Sequence, residues 1–453
     1  MQPLPKEFEE QMKRLLGEAG FFAYLDALNQ PYTRALRVNL LLRPDGTPSC
    51  PIEGLGAPVP WAKGAYFVEG DARPGLSPLH EGGLFYMQEP SALTAVTALD
   101  PQPGERVLDL CAAPGGKSTQ IAALMAGRGL LCCNEPIPSR AQILSRNIER
   151  MGVRNAVVLS AMPDALAPRF PAFFDRILVD APCSGEGMFR RQPEARDEWD
   201  ADAPRRCADR QMEILAQAAK MLRPGGTMVY STCTFNDTEN EGVLKRFLAL
   251  HPEFSLVPFA LPGLPEAKDG YLHLYPHEMR GEGHFVSRLK KADGADEADA
   301  PVQAAPQRKA PARAAAKGKA PTSIALPDVF SDAFAPERLY TAGDALWMLP
   351  EGISIERLSG LRVLRTGLLL AHAEGKRSKP DHALAMALRP EEAARTASLT
   401  QTQALAYQAG ETLSLGDLPG GYTLLCCEGV SLGWGKQAGG LMKNHYPKGL
   451  RRR

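Results

Sequence analysis

Two cysteines lie where a thiol could act as a nucleophile. Cys183 ends the run Asp180-Ala181-Pro182-Cys183, and Cys233 ends the run Tyr230-Ser231-Thr232-Cys233. Each follows a short apolar stretch that predicts a buried strand. Ligands bind where strands end in an open parallel sheet, so both thiols are predicted to face a site. Thiols in such a place suit covalent attack on an electrophilic ring.

A third predicted strand ends in a turn of small residues. The turn consists of Cys111, Ala112, Ala113, Pro114, Gly115, Gly116 and Lys117. It lacks the glycine that a P-loop needs five residues before Gly116, and it lacks the dinucleotide pattern Gly-x-Gly-x-x-Gly. A nucleoside triphosphate or a nicotinamide cofactor is therefore not expected.

The same turn suits another nucleotide-like cofactor. Glu135 ends the next predicted strand, where its carboxylate can accept hydrogen bonds from ribose hydroxyls. A glycine-rich turn at the start of a helix can take the carboxylate of a methionyl tail. This layout predicts S-adenosylmethionine.

Composition limits the classes of protein that this chain can represent. It has 453 residues, with 44% hydrophobic and 23% charged residues, which is typical of a soluble protein of several domains. Its formal net charge is zero, so any binding to nucleic acid must depend on local patches. The acidic N-terminus and the absence of a long apolar run predict a cytoplasmic protein without a membrane partner. Its nine cysteines show no zinc-ligand spacing, so no metal is expected.

The chain divides into four predicted parts. Residues 1–90 are expected to form a small α+β domain, because a helical apolar pattern precedes extended segments. In residues 91–290 strands and helices alternate, which predicts an α/β domain with a mostly parallel sheet covered on both faces. Residues 291–323 are rich in Ala, Pro and Lys and are expected to be a linker. Residues 324–453 are expected to form a C-terminal α+β region.

Three segments carry a family resemblance: 108–117, 180–187 and 230–234. Together they resemble the Sun/RsmB/RsmF family of RNA cytosine-5 methyltransferases. The basic tail, residues 433–451, resembles the C-terminal region of RsmF-type 16S rRNA enzymes. The resemblance implies a Rossmann-like class I S-adenosylmethionine-dependent methyltransferase core between an N-terminal RNA-binding domain and a PUA-like C-terminal RNA-binding region. It also implies methylation of carbon 5 of a cytidine in 16S rRNA or the small ribosomal subunit. Nothing in the sequence demands a dimer, so a monomer is expected.

The resemblance assigns roles to residues of this chain. Cys233 would add to carbon 6 of cytosine, Cys183 would assist breakdown of the adduct, and Asp180 would hydrogen-bond the ring near nitrogen 3. From chemistry alone Cys183 remains a rival nucleophile, because DNA cytosine-5 methyltransferases use the cysteine of a Pro-Cys pair. The turn from Cys111 to Lys117, Glu135 and Asp180 would bind the cofactor.

One position departs from the family pattern. The acid that the family places near the adenine, after the third strand of the core, falls on Ala161. Asp164 is a candidate substitute, although its spacing differs by a few residues. The adenine contact is therefore left open.

The candidate RNA contacts are cations in three parts of the chain: Arg34, Arg37, Arg190, Arg191, Lys436, Lys443 and Lys448. In the tail, Trp434, His445 and Tyr446 lie among positive charges, which suits stacking of unpaired bases. Three functions stay open: an RNA cytosine-5 methyltransferase, including one that acts on tRNA; a methyltransferase of DNA or a small molecule; and an inactive RNA-binding factor for ribosome assembly. The intact pair Cys183 and Cys233 favours an enzyme.

Overall fold

The computed structural model describes residues 3–294, 324–331, 334, 336–375 and 377–452. Most of the predicted linker therefore lies outside the described residues, as does Arg453 at the end of the tail. No described helix is long and apolar enough to span a bilayer.

The N-terminal segment combines helices with a four-stranded antiparallel sheet in the order β2-β3-β1-β4. Its elements are α1 (Lys6–Leu28), β1 (Arg34–Val38), β2 (Leu55–Pro58), β3 (Ala65–Val68), α2 (Pro78–Glu81) and β4 (Phe85–Gln88). Helix α1 buries Phe8, whose ring meets Phe189 and Trp199 edge-on at centroid distances of 4.9 and 5.8 Å. The N-terminal helix thus packs on the segment that follows Cys183.

A nine-stranded sheet forms the centre of the molecule. The strands of this sheet and the helices between them begin with α3 (Leu93–Leu99), β5 (Arg106–Asp109), α4 (Gly116–Leu124), β6 (Leu130–Asn134), α5 (Pro138–Arg150), β7 (Ala156–Leu159), α6 (Pro163–Leu166) and β8 (Phe174–Asp180). They continue with α7 (Glu194–Glu198), α8 (Ala203–Met221), β9 (Leu222–Thr232), α9 (Glu241–Leu250), β10 (Phe254–Leu256), β11 (Tyr271–Leu274) and β12 (His284–Lys291). Strands β7, β6, β5, β8 and β9 are parallel neighbours, and β12 runs antiparallel to β9.

The parallel strands are buried on both faces. Consecutive residues alternate between two cores: Val107 and Leu178 face one, while Leu108 and Ile177 face the other. Helices α3, α4 and α5 cover the first face, and α8 and α9 cover the second. This double cover explains why these strands read as continuous apolar runs in the sequence.

The order of the strands determines where a ligand can bind. From β5 the chain builds outward through β6 and β7, and from β8 it builds in the opposite direction through β9. The crevice at such a reversal lies at the carboxyl ends of the two central strands. The loops after β5 and β8, which contain Cys111 and Cys183, therefore open into the same crevice.

The C-terminal region forms two further four-stranded sheets. Its elements are β13 (Leu339–Ala342), β14 (Ala345–Met348), α10 (Ile355–Leu358), β15 (Val363–Arg365), β16 (Leu368–Glu374), β17 (Arg377–Pro380), α11 (His382–Ala387), β18 (Thr396–Ser398), α12 (Gln401–Ala409), β19 (Gly421–Cys427), β20 (Val430–Ala438) and β21 (Leu441–Asn444). Strand β15 belongs to neither of these sheets and pairs antiparallel with β7 at the edge of the central sheet. The C-terminal region therefore adds an edge strand to the central sheet, a pairing that was not predicted from the sequence.

Candidate active site

The turn after β5 is held by side chains from α5. Gly115 adopts φ +113°, a left-handed conformation that glycine enters at little cost. Asn147 donates a hydrogen bond of 2.8 Å to the Pro114 carbonyl, and Arg140 donates one of 3.1 Å to the Ala113 carbonyl. These bonds keep the small-residue turn open toward the crevice.

Asn134, at the end of β6, connects neighbouring strand ends. Its amide nitrogen donates to the carbonyls of Leu110 and Ala161, at 3.2 and 3.0 Å. Its amide oxygen accepts from the Ala161 amide at 3.1 Å. Because Asn134 is fully buried, it fixes the loops after β5 and β7 relative to each other.

Asp180, at the end of β8, is held as a carboxylate. Its Oδ2 accepts from Lys117 Nζ at 2.7 Å, and its Oδ1 accepts from Ser231 Oγ at 2.8 Å. Burial opposes ionisation of Asp180, but the charges and hydrogen bonds of Lys117 and His284 together outweigh it and hold the pKa of the carboxyl well below its usual range. Asp180 is therefore a hydrogen-bond acceptor with no proton to donate.

The thiols of Cys183 and Cys233 lie within hydrogen-bond distance of each other. Cys183 Sγ lies 3.3 Å from Cys233 Sγ, and both cysteines are free and half-buried. The hydrogen bond to Cys233 and burial raise the pKa of the Cys183 thiol well above its usual range. Cys183 therefore keeps its proton at neutral pH and can donate it in a hydrogen bond to the Cys233 sulfur.

Two buried glutamates hold the loops that carry these thiols. Glu186 accepts from the amides of Phe235 and Asn236, at 2.8 and 3.0 Å. Glu239 accepts from the Ser184 amide at 3.0 Å. Each glutamate follows one cysteine and binds the loop of the other, so the two loops form a reciprocal pair.

Two cavities open beside this pair, and Cys233 lines both of them. The first has a volume of about 430 Å³ and is lined by the turn after β5, the end of β4, Arg191 and His284. The second has a volume of about 650 Å³ and extends past Glu135 to Met162 and Asp164. Asp180 and Cys233 line both cavities, as do Cys111, Ala113, Arg140 and Ala181.

Glu135 lies in the second cavity at the position that the sequence analysis gave it. Its side chain is 3% exposed, and its Oε2 lies 3.4 Å from Arg140 Nη1. Oε1 accepts from the Ile137 amide at 3.0 Å, which fixes the direction of the carboxylate. Asp164 lines the far end of the same cavity, so the structure leaves it available as the substitute for the acid missing at Ala161.

Three of the arginines that were predicted to contact RNA make hydrogen bonds or ion pairs with other residues of the protein. Arg37 is 1% exposed and donates to Thr119 Oγ1 at 2.8 Å, so its assignment to RNA is wrong. The Arg190 guanidinium is 7% exposed and pairs with the buried Glu282 at 2.7 Å, so its assignment is wrong as well. Arg34 is half-buried and donates to the Ala72 carbonyl at 2.7 Å.

The remaining predicted contacts are accessible. Arg191 is exposed at the first cavity, Lys443 and Lys448 are exposed in the tail, and Lys436 is half-buried over the Tyr422 ring. The predicted aromatic platform of the tail is wrong in part. Trp434 and Tyr446 are 2% and 4% exposed, because both pack in the C-terminal cores.

Family models match successive parts of the chain. The model described as 16S rRNA methyltransferase RsmB/F matches residues 96–290, and the N-terminal domain of 16S rRNA methyltransferase RsmF matches 4–90. The RsmF rRNA methyltransferase first C-terminal domain matches 327–388, and the methyltransferase RsmF PUA domain matches 394–452.

Similarity to curated relatives extends over nearly the whole chain. Ribosomal RNA small subunit methyltransferase F of Erwinia tasmaniensis is 34% identical over 470 residues, which cover 98% of this chain and 96% of that protein. The protein of the same name from Klebsiella pneumoniae is 34% identical over 465 residues, with 98% and 96% covered. The chain belongs to the 16S rRNA methyltransferase RsmB/F family. This membership confirms the predicted fold class and the prediction of a methyltransferase.

Solved structures agree on the fold of this family member. A methyltransferase homologue from Pyrococcus horikoshii has a TM-score of 0.53 and 30% identity, covering 63% of this chain and 95% of that chain. NSun6 from Pyrococcus horikoshii with SFG has a TM-score of 0.55 and covers 64% of this chain and 99% of that chain. At 23% identity, the second structure supports the fold alone.

Several residues of the site were not predicted from the sequence. Ser231 and His284 lie beside Asp180, although neither was singled out as a site residue. Glu186 lies within the segment 180–187 and Glu239 lies shortly after the segment 230–234, but no role was predicted for either. A buried polar residue next to a motif residue is the signal that could have found Ser231. Nothing in the sequence places His284 beside Asp180, because the two lie on strands that the tertiary fold brings together.

Proposed function

We propose that this protein transfers a methyl group from S-adenosylmethionine to carbon 5 of a cytidine in 16S rRNA. The observation that carries the proposal is that Cys233 and Asp180 line both cavities. A nucleophile in this position can bond to a base in one cavity while a cofactor lies in the other. The curated relatives named above support 16S rRNA as the substrate.

The second cavity fits S-adenosylmethionine by its chemistry. Glu135 offers a buried carboxylate for ribose hydroxyls, and Cys111 and Ala113 present a small-residue wall. Gly115 suits this turn because its φ of +113° strains residues with a side chain, and a Cβ there would also lie 3.2 Å from Leu144. The bound cofactor would supply an electrophilic methyl group on a sulfonium sulfur.

The residues between the cavities suit activation of a cytosine. Addition of the Cys233 thiolate to carbon 6 makes carbon 5 nucleophilic. Asp180, as a carboxylate, would accept a hydrogen bond from the amino group next to ring nitrogen 3. Lys117 holds that carboxylate in its charged form.

Cys183 suits a role in releasing the product. Release requires loss of the proton on carbon 5 and cleavage of the bond between carbon 6 and Cys233 Sγ. The Cys183 thiol lies within hydrogen-bond distance of that sulfur and can stabilise it as it departs. The raised pKa of Cys183 argues against Cys183 itself as the attacking thiolate.

Incubation with radiolabelled S-adenosylmethionine tests the proposal. Naked 16S rRNA, small ribosomal subunits, tRNA and DNA would be offered in parallel, and modified RNA would be sequenced after bisulfite treatment. We expect label in 16S rRNA and a protected cytidine that is lost in cells lacking the protein. Label in tRNA or DNA alone would overturn the proposed substrate, and no label in any acceptor would indicate an inactive assembly factor.

A further inference from the structure

We propose that His284 and Asp180 together read the base-pairing edge of the target base and thereby select cytosine over uracil. This inference rests on the proposed function. It assigns His284 as a specificity-determining residue that donates a hydrogen bond to ring nitrogen 3.

The fold places His284 next to Cys233 in the lining of the first cavity. His284 opens β12, whose antiparallel register pairs Phe285 with Thr232. The next position in that register brings His284 to the level of Cys233. Gly283 precedes it with φ +106°, where a Cβ would lie 2.5 Å from the Phe235 ring, so the approach to this position requires glycine.

The imidazole of His284 presents an unused polar atom to the cavity. His284 is 3% exposed and lines the first cavity. Its Nε2 lies 3.5 Å from Asp180 Oδ1, and this buried nitrogen makes no hydrogen bond with any described residue. An unpaired buried polar atom is costly, which favours a partner supplied by a ligand.

The surroundings of His284 favour a neutral ring with its proton on Nε2. Burial lowers the pKa of the imidazole, and Asp180, Lys117 and Glu89 are the charged groups that face it. A lone pair directed at the Asp180 carboxylate would be repelled, whereas an N–H is attracted. His284 Nε2 is therefore a donor beside the acceptor Asp180.

This acceptor and donor match cytosine and mismatch uracil. Cytosine presents an amino group next to the bare ring nitrogen 3, so Asp180 accepts from the first and His284 donates to the second. Uracil presents a carbonyl oxygen next to an N–H, so the carboxylate would face an oxygen and the imidazole N–H would face another N–H. A site built for one hydrogen-bond pattern rejects the other because its buried polar groups are left unpaired.

The same contact would strengthen during the reaction. Addition of a thiolate to carbon 6 moves electron density toward ring nitrogen 3. A donor already aimed at that nitrogen binds the addition product more tightly than the free base. Lys117 is less suited to this contact, because its ammonium is already committed to Asp180 Oδ2.

The test compares two fluorinated bases at the methylated position. Once that position is mapped, short RNAs would carry 5-fluorocytidine or 5-fluorouridine there, and the rate of covalent adduct formation would be followed on denaturing gels. For His284→Phe, we expect the ratio of the two rates to fall about tenfold to 100-fold, mostly through slower reaction of fluorocytidine. His284→Gln keeps an N–H donor and should retain most of the wild-type ratio.

Controls separate selection from folding. Cofactor affinity by calorimetry should be unchanged in His284→Phe. The control His251→Phe, half-buried at the end of α9 and lining neither cavity, should behave as wild type. If the phenylalanine variant does not fold, His284→Met replaces it. An unchanged ratio in a folded variant without the donor would overturn the inference, as would a glutamine variant that loses selectivity equally. If the wild-type protein formed no adduct with fluorocytidine, the proposed function itself would fail.

Discussion

Cys183 Sγ and Cys233 Sγ lie 3.3 Å apart on two loops that hold each other through buried glutamates. The two thiols are chemically unequal, because the hydrogen bond to Cys233 and burial raise the pKa of Cys183. Cys183 is therefore kept protonated beside the Cys233 sulfur. The proposed division of labour, with attack by Cys233 and release assisted by Cys183, rests on this contact.

Replacing each thiol should produce opposite results. Cys233→Ala removes the attacking sulfur, so we expect no methyl transfer and no protein–RNA adduct. Cys183→Ala leaves attack possible but removes the donor beside the departing sulfur, so we expect turnover to fall about 100-fold or more and a covalent adduct to accumulate. Denaturing gels with labelled RNA and peptide mapping of the adduct measure both effects.

Cys207→Ala, on α8, is the matched control for these substitutions and should retain activity. Attachment of RNA bearing 5-fluorocytidine to Cys183 would reverse the two assignments. It would leave the proposed reaction intact, since a thiol adduct would still form.

Asp109 should make stability depend on pH. Burial raises its pKa from 3.8 to about 7, against the opposing hydrogen bond from Ser118. A folded carboxyl with a raised pKa binds more protons than the unfolded one, so its contribution to stability falls as the pH rises from about 4 to about 7. The wild-type protein should lose on the order of a few kcal/mol relative to Asp109→Asn over that range.

Urea unfolding of the two proteins at several pH values measures this difference. The asparagine variant keeps an acceptor for Ser118 and has no charge to bury, so its own decline should be smaller. Parallel pH profiles for the two proteins would show that Asp109 is not the titrating group.

The ion pair between Arg365 and Glu149 should hold the C-terminal region to the central sheet. Arg365, at the end of β15, is 4% exposed and donates to Glu149 on α5. Arg365→Met leaves the half-buried carboxylate without its partner, which should lower the free energy of unfolding by about 1–3 kcal/mol. The double variant with Glu149→Gln should recover part of that loss.

Denaturant unfolding with the four proteins of a double-mutant cycle checks this prediction. The control pair is Arg338 and Glu351, which lie 3.9 Å apart at the surface. Arg338→Met should cost less than about 1 kcal/mol. Equal losses at the two arginines would argue against anchoring by the Arg365 pair.

The exposed tail lysines should bind RNA through its charge. In Lys443→Ala with Lys448→Ala, we expect the slope of log affinity against log salt to decrease by about two, because each lysine neutralises about one phosphate. Filter binding at several salt concentrations measures the slope, and Lys268→Ala is the surface control. An unchanged slope would place the RNA elsewhere.

Deletion of the tail would not give this information. Trp434 and Tyr446 belong to the cores of the C-terminal region, so a chain cut after about residue 430 would lose folded structure as well as charge. Arg37→Met should likewise reduce stability rather than RNA binding, because its guanidinium is bound to Thr119.

The sequence by itself determined the elements of the core and the reactive residues. Doubly buried strands read as apolar runs, and Asp180, Cys183 and Cys233 follow such runs directly, so their approach to a common crevice could be expected from local patterns. The small-residue turn and Glu135 could be recognised in the same way. These predictions depend on residues close in sequence to the strand that carries them.

Only the tertiary structure decided which polar groups are available. Arg37 and Arg190 resemble surface cations in the sequence, but partners from distant segments bury them: Thr119 and Glu282. His284 reaches Asp180 for the same reason, across a separation that no local pattern records. Burial and long-range pairing depend on the packing of the whole chain, and that packing separates charges that can meet RNA from charges that hold the fold.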